Sequence, residues 1–106
     1  MKAIGLLFMF AFSLLLGACS QKGDATRGKR LFDSTCDVCH YANSTKARAG
    51  PGFAGLYKQR ALLDGTPVND KNVERWIRQG SRLMPGYRNA ITPEEMRDLL
   101  AYLKTL

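Results

Sequence analysis

The chain has 106 residues, of which 45% are hydrophobic, and it carries a formal net charge of +7 with one histidine and three cysteines. This length leaves room for one small domain, near the size at which an apolar core alone is barely sufficient to fold. The charge does not predict nucleic-acid binding, because no groove of interleaved basic and aromatic residues is evident.

The first segment, residues 1–18, has the pattern of an export signal. Lys2 provides a short positive region, the stretch that follows is almost entirely apolar, and Leu16-Gly17-Ala18-Cys19 resembles the cleavage region of a bacterial lipoprotein. An uncleaved membrane anchor is the less favoured alternative, because about fourteen apolar residues fall short of the roughly twenty that span a bilayer as a helix. We therefore predict that residues 1–18 are removed and that Cys19 is lipidated.

Lipidation of Cys19 predicts a periplasm-facing protein anchored to a bacterial membrane. Ser20 follows the lipidated cysteine, and under the enterobacterial sorting pattern it favours the outer membrane over the inner one. Residues 19–25 then form the lipidated cysteine and a short polar tether. The remaining residues, 26–106, form the predicted domain.

The domain is predicted to begin with a helix capped by Asp24. Gly28, Leu31 and Phe32 recur at helical spacing along it. A glycine inside a helix costs about 1 kcal/mol relative to alanine. Its presence predicts that another backbone approaches closely at Gly28, and the last helix is the natural partner.

The run Cys36-Asp37-Val38-Cys39-His40 is typical of a covalent haem c site, in which two thiols add to the haem vinyl groups and the adjacent imidazole binds the iron. We predict one haem c, attached through Cys36 and Cys39. His40 is the only histidine, so no other imidazole competes for the iron. A structural zinc site would need further ligands, and a thioredoxin-like site would need a βαβ setting that this sequence lacks.

The middle of the chain is rich in loops. Gly50-Pro51-Gly52 cannot lie inside a helix, and residues 64–67 have the composition of a turn. Asn69 or Asp70 is predicted to cap a helix that contains Trp76 and ends near Gly80. No alternating apolar runs predict strands.

Met84 lies in the next loop, directly before Pro85. A thioether on the second face of a haem iron favours the reduced state and raises the potential. Two of the other methionines belong to residues 1–18, and Met96 lies on an apolar helical stripe where a core role is expected. We predict Met84 as the axial ligand opposite His40, with an open or weakly held sixth position as the alternative.

The last helix has the clearest start signal in the chain. Thr92 is the predicted cap, Pro93 takes the first helical position and Glu95 completes a capping box. Its apolar stripe recurs at helical spacing. The stripe consists of Met96, Leu99, Leu100 and Leu103, with Tyr102 beside it.

Together these segments resemble a small bacterial class I cytochrome c with one haem, over nearly the whole of residues 26–106. The resemblance rests on the haem motif, Gly50-Pro51, Met84-Pro85, the helix with Trp76 and the last helix. It implies an all-α cytochrome c fold of three to five short helices around the haem, with the N- and C-terminal helices crossing. The loop Tyr41–Ala49 departs from the pattern, because it is basic and lacks evident aromatic cover.

The same resemblance implies the surroundings of the haem. Pro51 would pack on the proximal side, and the loop preceding it would accept the ring N–H of His40. Trp76 would approach the propionates, together with Tyr57 or with arginine residues. The expected haem environment consists of Pro51, Tyr57, Trp76 and Pro85.

The function that this resemblance implies is single-electron transfer rather than enzymatic catalysis. A haem enzyme would want an acid–base side chain over an open iron, and no second histidine is present. The alternative from another class is a module that binds or senses NO or CO through a displaceable Met84.

Charge predicts the kind of redox partner. A basic rim around the haem edge would steer proteins with acidic docking surfaces, although a merely solvated positive surface is an equal alternative. The protein would act as a monomer or as a subunit of a respiratory complex. The basic residues near haem-contacting segments are Lys29, Arg30, Lys46, Arg48, Arg78, Arg82 and Arg88.

Overall fold

The computed structural model describes residues 22–106, so the predicted signal segment and Cys19 lie outside the described residues. The helices are α1 (Ala25–Thr35), α2 (Asp70–Gln79) and α3 (Pro93–Leu103), with a single 3-10 turn at Leu56–Lys58. Over this range the only β-type pairing is an isolated bridge between Ala61 and Pro67. The predicted all-α fold is confirmed. No helix within residues 22–106 has the length and apolarity needed to cross a membrane.

Side-chain caps start all three helices at the predicted places. The Asp24 carboxylate accepts the Arg27 backbone N–H at 2.9 Å and begins α1. Asn69 is the cap of α2. Thr92 and Glu95 exchange the two hydrogen bonds of a capping box at α3. Such caps satisfy backbone donors that a helix N-terminus otherwise leaves without partners.

The most extensive helix–helix contact joins α1 to α3, and it forms at Gly28 as predicted. Gly28 is buried, and a Cβ atom there would collide with the backbone carbonyl of Asp98. The absence of a side chain therefore lets the two backbones approach closely. Phe32, one turn further along α1, is fully buried and packs edge-on against Tyr102, with 5.5 Å between ring centroids.

The last helix, α3, contributes half of the buried core residues, its apolar stripe and Tyr102. Met96 and Leu99 are each only 1% exposed, so the predicted core role of Met96 is confirmed. The other core residues come from α1, the 3-10 turn, α2 and the loop before α3. These are Phe32, Leu56, Val73, Ile77 and Ile91.

A buried carboxylate ties the start of the domain to α3, a contact that the sequence did not predict. Asp98 is 4% exposed and accepts the Asp24 backbone N–H at 2.7 Å and the Arg27 Nε–H at 2.8 Å. These bonds hold the pKa of Asp98 below its ordinary value, chiefly through the hydrogen bond from Arg27. The carboxylate therefore remains ionised at neutral pH and joins segments more than seventy residues apart.

Candidate haem site

The haem motif forms a helical turn that continues from α1. The Cys36 N–H donates to the Phe32 carbonyl at 2.8 Å, and the His40 N–H donates to the Cys36 carbonyl at 3.0 Å. The Cys39 N–H bonds to the same Cys36 carbonyl at 3.1 Å. One turn of this kind brings Cys36 and Cys39 to the same side of the chain.

The His40 ring is fixed in direction by the loop that follows it. Its Nδ1 lies 2.8 Å from the carbonyl oxygen of Pro51, while His40 as a whole is only 8% exposed. A carbonyl can only accept, so Nδ1 carries the proton and the lone pair is on Nε2. A metal-ligating histidine needs this arrangement. The acceptor is Pro51 itself rather than the loop before it, because that carbonyl faces the ring.

Gly50 and Phe53 both lie against the His40 imidazole. A Cβ atom on Gly50 would lie 2.8 Å from Nδ1 of His40 and closer still to its Cε1. The Phe53 ring stacks on the imidazole at 4.3 Å between centroids, with 19° between planes. Phe53 supplies the aromatic cover that was not evident in residues 41–49. Phe53 was not predicted as a site residue, although its position two residues after Pro51 was the available signal.

The loop Tyr41–Ala49 closes back onto the haem motif through polar contacts. The Gly50 N–H donates to the Cys39 carbonyl at 2.8 Å, and the Arg48 guanidinium donates to the Asp37 carbonyl at 2.6 Å. Arg48 also lies over the Tyr41 ring, 5.0 Å from its centroid. The basic side chain of Arg48 therefore packs onto this loop.

The sulfurs of Cys36 and Cys39 are half-buried and form no disulfide within the described residues. Burial raises the pKa of the Cys36 thiol to about 11. Within residues 22–106 no three Cys, His, Asp or Glu side chains converge as a metal-binding group. Both sulfurs are therefore available for covalent attachment.

Met84 lies in a loop that folds against the end of α2. Its side chain is half-buried and packs at the edge of the core. Tyr87 follows, and its pKa is raised chiefly by burial and further by the nearby Cys36 and Cys39. Met84, Tyr87 and Cys36 all pack against the same hydrophobic core, so the loop of the predicted methionine ligand and the haem motif border one cluster of buried residues.

Trp76 presents a buried polar atom without a protein partner. Its Nε1–H has no hydrogen bond to the described residues. The Asp64 carboxylate is close enough for the indole to help lower its pKa, which is held down mainly by the Thr66 hydroxyl, but no hydrogen bond of ordinary geometry joins Trp76 and Asp64. A buried donor without a partner is costly, and a haem propionate is an acceptor of the right chemistry.

The remaining two residues of the expected haem environment are placed differently. The Tyr57 ring is half-buried, but its hydroxyl donates to Asp70 at 2.9 Å. Burial is the main cause that raises the pKa of Tyr57. Only the ring of Tyr57 can therefore line a haem pocket in this arrangement. Pro85 is exposed, beside the half-buried Met84.

These residues fit a covalently attached haem of the c type. The site offers two cysteines without a disulfide on one helical turn, an imidazole with Nδ1 already bonded, and an indole donor without a protein acceptor. Met84 and Cys36 pack against the same hydrophobic core. When bound, the haem would supply an iron that changes between its ferric and ferrous states.

Comparison with known proteins agrees with this chemistry. The family model described as "Cytochrome c" matches residues 25–106. Cytochrome c oxidase subunit 2 of Alkalihalophilus pseudofirmus is 33% identical in an 88-residue alignment that covers 77% of this chain and 25% of the subunit. This chain thus spans about a quarter of the length of that relative.

Two further proteins are similar over most of the chain. A cytochrome c-553-like protein of Synechocystis sp. is 33% identical over 85 residues, which are 80% of this chain and 71% of that protein. The solved structure of cytochrome cH from Methylobacterium extorquens matches with a TM-score of 0.60 at 24% identity, over 79% of this chain and 100% of the other. The latter likeness shows the fold.

Proposed function

Because the chain belongs to the cytochrome c family, with one covalently attached haem c, we propose that it carries single electrons between redox proteins on the outer side of a bacterial cytoplasmic membrane. In this proposal Cys36 and Cys39 form the two thioether bonds. His40 and Met84 are the axial ligands of the iron.

The geometry of His40 is the observation that carries the proposal. The Pro51 carbonyl fixes the tautomer, Phe53 covers one ring face, and Gly50 leaves room for the ring. An electron carrier gains from this rigidity, because a ligand that moves little between oxidation states lowers the cost of electron exchange. A bonded Nδ1–H also makes Nε2 a better donor to iron.

Met84 as the second ligand explains why the proposed function is transfer rather than catalysis. With both axial positions filled, substrate cannot bind the iron, and the protein's tasks are to hold the ligands, exclude water and present one haem edge to partners. The loop of Met84 is suited to this, since Met84 packs at the edge of the same core as Cys36.

The partner proposed is a redox protein with an acidic docking surface. Two large apolar side chains are exposed beside the site: Val38, inside the haem motif, is 73% exposed, and Leu83, before Met84, is 94% exposed. Arg82 is exposed next to Leu83. Exposed apolar side chains beside an exposed arginine, on a chain of net positive charge, support short-lived, electrostatically steered complexes. The oxidase subunit among the relatives makes a respiratory enzyme a reasonable class of partner.

Membrane attachment through Cys19 belongs to the same proposal and rests on the sequence pattern of residues 1–19. Only three residues separate Cys19 from Gly23, where α3 leaves no space for a side chain. Anchoring would therefore hold the domain near the membrane surface.

A visible spectrum with a redox titration tests the proposed function. We expect a low-spin haem spectrum in both oxidation states, with the long-wavelength band of a methionine–ferric iron bond. The haem should stay with the polypeptide after denaturation and acid-acetone extraction. A colourless, correctly exported protein, or haem released by the extraction, would refute the assignment.

The alternative of diatomic-gas binding has no contact within residues 22–106 that favours it. CO added to the ferrous protein separates the two functions. An electron carrier with a firmly held Met84 should bind CO slowly and weakly. Rapid, tight CO binding together with an absent methionine band would favour the sensor.

A further inference from the structure

The loop of Met84 leaves α2 through a backbone conformation that only glycine adopts readily. Gly80 ends α2 with φ at 65°, and a side chain there would collide with the carbonyl of Met84. The Ser81 N–H donates to that same carbonyl at 2.9 Å, and the Ser81 hydroxyl accepts from the Met84 N–H at 3.3 Å. The entry of the loop is therefore fixed by local backbone geometry.

The exit of the loop is fixed by contacts with α2. The Tyr87 N–H donates to the Ile77 carbonyl at 2.9 Å. Arg78, the next residue of the helix, donates from Nη1 to the carbonyls of Arg88 and Ile91, each at 3.1 Å. One turn of α2 thus holds both ends of the segment that presents Met84.

The Arg78 side chain is itself held in a fixed position. Its Nε donates to Glu74 at 2.9 Å, one turn back on α2, and only 23% of its side-chain surface is exposed. The planar guanidinium can direct one nitrogen to Glu74 and another to the loop, which a lysine ammonium on a flexible stem cannot reproduce. Ile91 is 4% exposed, so the far anchor of the clamp lies in the core.

We propose that Arg78 is a positioning residue for the axial ligand: it clamps residues 88–91 to α2 and so keeps the loop of Met84 closed over the haem. The inference rests on the proposed function, since it takes Met84 to be a ligand. Without the clamp the exit of the loop is held to α2 only by the backbone bond between Tyr87 and Ile77. That single bond would open more often, and more backbone entropy would then oppose the closed form of the loop. An external base would then displace the Met84 sulfur more readily.

Imidazole binding to the ferric, haem-loaded protein measures this opening. Its nitrogen bonds to iron as the Met84 sulfur leaves, without electron transfer, and the methionine–iron band disappears. Loss of two hydrogen bonds from a partly exposed guanidinium corresponds to about a tenfold change in an equilibrium constant. Arg78→Gln should therefore bind imidazole about tenfold more tightly than the wild type, and Arg78→Lys should lie between them.

Two control variants separate the clamp from simple loss of charge. Glu74→Gln keeps an acceptor for Nε and leaves both bonds to the loop intact. Arg82→Gln removes an exposed positive charge from the loop itself. Both should bind imidazole within about twofold of the wild type, a change smaller than one lost hydrogen bond. Amide hydrogen exchange at Ser81 and Tyr87 should be faster in the Arg78 variants only.

Each other outcome overturns the clamp. If Arg78→Gln lowers the melting temperature while imidazole affinity stays unchanged, Arg78 contributes to stability alone. If Arg82→Gln has the same effect as Arg78→Gln, charge is the cause. If Arg78→Gln does not accumulate, Arg78→Lys serves as the test. An imidazole affinity of Arg78→Lys equal to that of the wild type would also overturn the clamp. A wild-type protein that lacks the methionine–iron band would refute both this clamp and the ligation of iron by Met84. The variant results described above bear only on the clamp and would not contradict the proposed electron transfer.

Discussion

Gly28 of α1 lies so close to the backbone carbonyl of Asp98 in α3 that no Cβ atom fits between them. The obstacle is backbone, which cannot rotate away as a side chain would. The two helices must therefore separate to accommodate any other residue.

Gly28→Ala should lower the free energy of unfolding by roughly 1 to 3 kcal/mol, in spite of alanine's better helix propensity, because overpacking outweighs that gain. Thermal unfolding followed by circular dichroism provides the measurement. Thr26→Ala, at an exposed position of the same helix, is the control and should be neutral. A Gly28→Ala protein as stable as the wild type would show that α1 and α3 can separate at little cost.

Gly50→Ala should disturb the axial histidine rather than the overall fold. The new methyl group would lie 2.8 Å from Nδ1 of His40, so the ring must turn away from the Pro51 carbonyl. We expect a changed haem spectrum and a lower yield of haem-loaded protein. Ala49→Ser, at the exposed neighbouring position, should leave the spectrum unchanged. A normal spectrum in Gly50→Ala would mean that the backbone of residues 50–53 shifts to accommodate the methyl group without moving His40.

Asp98→Asn should destabilise the protein at neutral pH by about 1.5 to 3 kcal/mol, the range for hydrogen bonds to charged groups. The pKa of Asp98 is depressed in the folded state, so its carboxylate contributes stability above the unfolded pKa, near 3.9. That contribution is lost as the pH falls through the folded pKa. Melting temperatures of wild type and Asp98→Asn should therefore converge in acid, and a pH-independent difference would contradict this account.

Met84→Ala should lower the reduction potential, because a thioether ligand favours the reduced iron. It should also abolish the methionine–iron band and open the iron to CO and imidazole. Met96→Leu is the matched control, since Met96 is 1% exposed in the core and should leave spectrum and potential unchanged. An unaltered potential in Met84→Ala would mean that another group ligates the iron.

Cys19→Ser should release a soluble, still haem-loaded domain, because lipidation requires the cysteine thiol. Fractionation of cells into membrane and soluble parts, followed by haem staining, measures this. Ser20→Ala keeps the thiol and should remain with the membranes. Persistence of Cys19→Ser at the membrane would instead indicate an uncleaved anchor in residues 1–18.

The sequence by itself determined the helices and the haem motif, and it predicted His40 and Met84 as the pair of axial ligands. Helix periodicity, the Thr92 capping box and the Cys36–His40 run are local patterns, and their chemistry depends on residues a few positions apart. Gly28 also predicted a close helix contact, because an unfavourable residue inside a helix needs a compensating reason.

Only the tertiary structure decided which groups support those ligands. The Pro51 carbonyl, the stacked Phe53 and the Arg78 clamp on the Met84 loop depend on how loops fold back onto helices. Asp98 accepts a hydrogen bond from Arg27, 71 positions away in the sequence, and the Tyr57 hydroxyl donates to Asp70. No spacing rule encodes such contacts, because the loops that bring them together follow packing rather than a repeating period.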